Sequence, residues 1–209
     1  MADTRKRKLY RVGFLGDFVT AFEKGIYTDI IVKPGGDGPG IPAHRAILAV
    51  KSKVFSYMLA SDEFKTSIEK SITIPDLSYE ELKTLLEFFY SGVLSFANIH
   101  NRALYLAADK YDIEYLQDVC RNQLIFSISV SNVLDILELS SIPSDKILME
   151  YAISFIVKHM EEIVNSNGYK TFVRRNPDLS LDITKAYVIY SRNESIDLQI
   201  GSLRYAHRA

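Results

Sequence analysis

The 209 residues contain no tryptophan, a single cysteine and six prolines. A lone Cys120 excludes an internal disulfide framework, and it excludes any zinc site that draws two or more cysteines from one chain. Excess charge of either sign is also missing. Twenty-five basic and 26 acidic residues leave a formal charge of −1, so no global field exists to recruit nucleic acid or an anionic membrane. No apolar run approaches the roughly 18 residues that a membrane helix needs. The first residues, Met-Ala-Asp-Thr-Arg-Lys-Arg-Lys, have no apolar core after their charges as a signal peptide would. The expectation is a reducing compartment, cytoplasm and/or nucleus, with no membrane and no direct nucleic-acid contact.

What is present is a folded composition: 47% hydrophobic, 24% charged, with 13 tyrosines and 11 phenylalanines. Residues 1–8 are polar, and Arg5-Lys6-Arg7-Lys8 reads as a frayed basic end or a weak nuclear-import address. From Leu9 a helical pattern begins. Phe14, Leu15, Phe18, Val19 and Phe22 share one broad apolar face, which either packs on its own domain or docks on a second copy. Gly25 stops that helix. Thr28–Lys33 is a β-branched strand signal. The Gly/Pro run 34–40 is a loop, with no Gly-Lys-Ser/Thr tail to make it a phosphate cradle. A hairpin-like connection leads to a strand around Ile41–Ala43. A short buried helix over Ala46–Val50 follows, then a helix capped by Ser52. Ser71–Ile74 is a second short strand. Ser78 and Glu81 fit a capping box ahead of Leu82, Leu85, Leu86 and Phe89, with Gly92 at the stop. One more short strand is expected at Val93–Phe96, then helices near Asn98–Tyr111 and from Ile113 to about Leu124.

Beyond Ser127 only helices are expected. Ser131 caps one, and Ile142-Pro143-Ser144 ends it. A stripe of Ile147, Leu148, Tyr151, Ala152, Phe155, Ile156 and His159 forms the next. Asn167-Gly168 reads as a turn, Tyr169–Arg175 as a short helix, Pro177 as a break, and Ile183, Ala186, Tyr187 and Tyr190 mark the last helix. The expected layout is 1–8 basic and disordered, 9–125 a mixed domain, 126–190 an all-helical extension, and 191–209 a loosely ordered tail. Few short strands separated by helices imply α+β, a small sheet capped by helices.

Catalytic signals are weak. His44, His100, His159 and His207 include no pair three to five residues apart, so helical metal pairing is absent. No Gly-x-Ser-x-Gly elbow exists. Cys120 lies on an inward helix face, unlike an exposed thiolate. Glu80-Glu81 and Glu161-Glu162 are helix neighbours about 100° apart and do not converge on one atom. The expectation is no enzyme, no cofactor and no metal: binding by surface.

Several segments resemble the BTB/POZ domain. They are Asp29-Ile30-Ile31-Val32, Ala43-His44-Arg45-Ala46-Ile47-Leu48-Ala49, Ser52-Lys53-Val54-Phe55 with Met58-Leu59, Leu85–Gly92 with its tyrosine-x-glycine stop, and Leu106–Tyr111 with Leu116 and Cys120. The resemblance covers about residues 10–125, in order and in register. Asn132–Leu139 is similar to the start of a BACK extension, and the chain as a whole resembles short plant BTB/POZ proteins.

The resemblance implies a homodimer or BTB heterodimer and no catalysis. In many relatives it implies a bridge from cullin-3 to a protein substrate in a ubiquitin ligase. It puts Phe14, Leu15, Phe18 and Phe22 at the dimer seam, and Asp29 and Arg45 as a buried acid and base beside it. It places the cullin contact at Phe64-Lys65-Thr66, where adaptors carry a hydrophobe-x-glutamate motif. Here Phe64 is the expected anchor and Thr66 stands in place of the glutamate, with Glu63 and Glu69 out of register. No Kelch or MATH unit fits in the residues left over, so the substrate, unidentified from sequence, is expected to meet the helical extension, the tail or a partner. The competing expectation is a BTB dimerisation scaffold or transcription-related module with no ligase role.

Overall fold

The computed structural model describes residues 16–66, 68–95 and 99–206, with side chains through Asn193 except that of Glu63. The chain divides into two compact units at Cys120/Arg121, within one helix.

The first unit is built on a short sheet. β1 (Ile30–Pro34) alternates buried and half-buried residues, so Ile30 and Val32 face the core. β2 (Ile41–Ala43) pairs with it antiparallel, Ile30 opposite Ala43 and Val32 opposite Ile41. β3 (Ser71–Ile74) pairs on the other side in parallel, Val32 opposite Ile72, and the order is β2-β1-β3. The loop between β1 and β2 presses its backbone against the turn after β3. A Cβ at Gly35 would lie 1.9 Å from the Pro75 carbonyl oxygen, which explains a glycine there by packing rather than by ligand binding.

Helix α1 covers 16–23, and its end is a Schellman motif. Gly25 has φ +61°, its N–H donates to the Phe22 carbonyl, and the Ile26 N–H donates to the Ala21 carbonyl. α2 (Arg45–Lys51) buries Leu48, and α3 (Lys53–Ala60) is capped by the Ser52 hydroxyl, which accepts from the Phe55 N–H. α4 (Asp62–Thr66) is a single short turn. α5 (Tyr79–Ser91) starts at a complete Ser78/Glu81 capping box and ends on Gly92 with φ +68°. Its Leu82, Leu85, Leu86 and Phe89 are buried at helical spacing, and α6 (Asn101–Lys110) and α7 (Glu114–Phe126) follow.

The second unit contains helices joined by turns and no strand among its described residues. α8 (Val133–Ser141), α9 (Lys146–Lys158), α10 (Met160–Val164), α11 (Asn167–Arg175) and α12 (Pro177–Ala206) complete the chain. The core of this unit is Val133, Leu137, Leu148, Ala152, Ile156, Ile163 and Ile183.

Several expectations are corrected. Residues 92–95 form no strand, and Phe96 lies outside the described residues. Leu94 is buried there without a ladder partner, so its apolar character reflects packing rather than pairing. Asn132, not Ser131, sits at the start of α8, and its Oδ1 accepts the Ser129 N–H at 2.8 Å. Asn167 and Gly168 belong to the first turn of α11 rather than to a free turn. Pro177 opens α12 instead of breaking structure, because the first helical position needs no N–H. Helical backbone continues through 191–206, where a loosely ordered tail was expected. In α9, Leu148, Ala152 and Ile156 point inward while Ile147 and Tyr151 are exposed. The apolar stripe is wider than the face that packing covers.

Candidate functional site

Two features of the first unit converge on the faces expected to bind partners. The first is a polar node behind α1. Phe22 stacks on Tyr90, ring centroids 4.5 Å apart and planes 18° apart. Tyr90 is buried at the end of α5, so its hydroxyl must find partners inside the protein. It accepts the backbone N–H of His44 at 2.9 Å and lies 2.8 Å from His44 Nδ1. His44 Nε2 lies 2.8 Å from the Ile26 carbonyl oxygen. That carbonyl only accepts, so Nε2 carries the hydrogen, and in the neutral ring Nδ1 is left to accept from the Tyr90 hydroxyl. The ring of one histidine thus ties the end of α1, the start of α2 and the end of α5 together. Burial pushes the Tyr90 phenol up to about 12, against the lowering effect of the His44 N–H bond.

This node was not legible as a unit in the sequence, where Tyr90 reads only as part of a helix stop. The signal that would have found it is a tyrosine continuing the apolar run Phe88-Phe89 on the buried face of α5, where a hydroxyl needs a partner from elsewhere in the fold. Of the expected seam residues, Phe14 and Leu15 lie outside the described residues. Phe18 is 41% exposed on α1, and Phe22 is half-buried against Tyr90.

The second feature is the cluster around Phe64. The expected anchor is 5% exposed. The Arg45 guanidinium carbon lies 5.0 Å from the Phe64 ring centroid and the Lys70 Nζ 5.3 Å. Lys70 Nζ also donates to the carbonyls of Phe64 and Lys65, at 3.1 and 3.0 Å. A ring held this way packs on its own domain, which corrects the expectation of a solvent-facing anchor. In the single chain Asp29 and Arg45 are both exposed. Asp29 Oδ1 accepts the backbone N–H of Arg45 at 2.8 Å, while the Arg45 side chain turns to Phe64. Asp29 therefore supports the first turn of α2 rather than neutralising a guanidinium. Lys65 and Thr66 are exposed at the end of α4, and the Thr66 hydroxyl donates to the Asp62 carbonyl at 2.8 Å.

Elsewhere in the first unit, Lys110 and Tyr111 both bond Asp76 Oδ2, at 2.6 and 2.7 Å, and hold its carboxyl below the usual carboxylate range, Lys110 most of all. Burial pushes the Cys120 thiol up to about 12, so it stays protonated. In the second unit, Arg121 Nε donates to buried Asp145 at 2.5 Å, and the other carboxylate oxygen of Asp145 caps α9 at the Ile147 and Leu148 N–H groups. Arg175 pairs with Glu138 at 2.8 Å. Among the described residues no group of three or more histidine, cysteine or acidic side chains is placed to hold a metal, and no helix is long and apolar enough to cross a membrane.

A small mixed sheet wrapped by helices defines the first unit as an α+β fold. The family model for the BTB/POZ domain matches residues 18–128. A BTB/POZ domain-containing protein of Arabidopsis thaliana is 59% identical over 187 residues, spanning 90% of each chain. A second from the same plant is 41% identical over 199 residues, covering 94% of this chain and 71% of that one. Among solved structures, the BTB domain of zebrafish PATZ1 is similar with a TM-score of 0.45 and 19% identity, over 54% of this chain and 89% of that chain. The chain belongs to the BTB/POZ family, and it is like the short plant members. BTB domains mediate dimerisation and partner binding, and proteins built on them are in general non-enzymatic interaction modules.

Proposed function

We propose that this protein dimerises through α1 and serves as a substrate adaptor of a cullin-3 ubiquitin ligase, acting in cytoplasm and/or nucleus. The second unit plays the part of a BACK extension and receives the protein substrate. The observation that carries the reading is an uncovered apolar edge along the α3–α4 segment. Tyr57 is 77% exposed on α3, and Ile68, just past α4, is fully exposed. Exposed Lys65 and Thr66 lie between them in the chain. Phe64 contributes from beneath by holding α4 in place, rather than by entering a partner's pocket.

A titration of the cullin-3 N-terminal domain into the purified chain tests this. Binding is expected, weakened by Tyr57→Lys. Thr66→Glu supplies a charged acceptor and strengthens binding by about tenfold. No binding to any of the three proteins, all folded and dimeric, overturns the adaptor reading. It leaves the second one, a BTB dimerisation scaffold or transcription-related module without ligase activity. The burial of Phe64 and the threonine in place of the glutamate favour that second reading.

A further inference from the structure

The second unit carries an apolar groove between α9 and α12, with a cavity of about 400 Å³. Ile153 and Val157 from α9 and Ala186 and Ile189 from α12 form its walls. Ile189 is 61% exposed and gives the groove an accessible apolar rim on its α12 side. Glu150 is the acid of the lining and Lys158 the base. Both are exposed, and neither has an ion-pair partner among the described residues. They lie two turns apart on one helix, roughly 12 Å at 1.5 Å per residue.

We propose that this groove binds an amphipathic helix of a partner protein, running parallel to α9, with a basic first turn at Glu150 and an acidic last turn at Lys158. The length fits. Apolar side chains at i, i+3 and i+7 of a docked helix span roughly 10 Å, within the roughly 12 Å between Glu150 and Lys158. Charge sets the direction. A helix entering this way presents its unpaired N–H groups to the Glu150 carboxylate and its terminal carbonyls to the Lys158 ammonium, whereas the reversed helix meets like polarity at both ends. Recognition by apolar anchors, with orientation read at the two rims, is how a groove of this kind selects one partner over another. The proposal rests on the reading of the chain as an interaction module that takes its substrate on the second unit, and it does not depend on cullin binding.

The test uses two labelled, hydrocarbon-stapled helical peptides of about three turns, each with leucines at i, i+3 and i+7. One carries lysine in the first turn and glutamate in the last; the other has the charges exchanged. Fluorescence polarisation against the full chain is expected to show binding of both, with the first preferred by about three- to tenfold. Ile189→Lys is expected to weaken both at least about tenfold. The double variant Glu150→Lys/Lys158→Glu inverts the preference. These three positions are exposed, so folding is retained, and circular dichroism verifies it. No binding to the wild type, binding indifferent to Ile189→Lys, or a preference that does not invert overturns the proposal. Sedimentation of the unlabelled proteins supplies one more outcome. An association state present in the wild type and lost in Ile189→Lys assigns the groove to a second copy of the chain, and overturns the helical-partner assignment. A negative peptide result leaves the cullin titration untouched, so the two readings fail separately.

Discussion

Tyr90→Phe removes one oxygen atom from the node behind α1 and leaves every apolar contact in place. The ring still stacks on Phe22 at 4.5 Å. Two hydrogen bonds disappear, the one from the His44 N–H at 2.9 Å and the one to His44 Nδ1 at 2.8 Å. Both are part-buried, so water compensates in part, and two bonds at about 0.5–1.5 kcal/mol each give an expected loss of about 1–3 kcal/mol. The histidine ring also loses one of its two anchors, which loosens its hold on the Ile26 carbonyl and hence on the end of α1.

Urea denaturation at fixed protein concentration measures the loss, since any dimer makes the midpoint concentration-dependent. Tyr57→Phe, on exposed α3, is the control and is expected within about 0.5 kcal/mol of wild type. Because the mutation spares the ring stack, the cost of Phe22→Ala should be the same in either background, to within about 0.5 kcal/mol. Equal midpoints for Tyr90→Phe and Tyr57→Phe would refute the node. A large coupling between Phe22 and the Tyr90 hydroxyl would show that the stack and the hydrogen bonds are one unit rather than two.

Alkaline titration follows from the same site with a definite sign. A phenol raised from 10 to about 12 stabilises the fold below the unfolded value, and that contribution is lost as pH climbs from about 10 to 12. Stability measured over that range should therefore fall less steeply in Tyr90→Phe than in wild type. Cys120, raised to about 12 by burial, should resist iodoacetamide at pH 8 in the native chain and react readily in 6 M urea; rapid native labelling would show that the helix opens there. Asp145→Ala strips the cap of α9 and removes the carboxylate that Arg121 Nε bonds, for an expected loss of about 3–5 kcal/mol in denaturant unfolding, whereas Asp145→Asn keeps the cap oxygen and should lose less. Phe64→Ala should lower stability by about 3–5 kcal/mol, because the ring is core; an unchanged melting temperature would restore Phe64 to the list of surface anchors.

Local rules carried much of this fold into the sequence. The Ser78/Glu81 box, the Ser52 cap and the glycine stops at Gly25 and Gly92 need only a few neighbouring residues, so they read directly. The helical spacing of Leu82, Leu85, Leu86 and Phe89 needs only the helix period, and the core placed all four. Periodicity also marked α1 as apolar, and BTB membership was legible from several short segments in register. What the residues could not declare was direction in space. Phe64 is equally apolar as a surface anchor or as core, and the choice fell to two cations, Arg45 and Lys70, from segments 19 residues before it and six after it. Asp29 and Arg45 have the charges of a pair, yet the backbone N–H of Arg45 won the carboxylate and the aromatic face won the guanidinium. His44 and Tyr90 stand 46 positions apart, and only the packing of α5 against the sheet and α2 makes them one node. Sequence by itself determined the helix ends marked by a local cap or glycine stop, at Ser52, Ser78, Gly25 and Gly92, because capping is local. Tertiary structure alone decided which apolar side chains are core and which stay exposed, because burial is a property of everything that surrounds a residue.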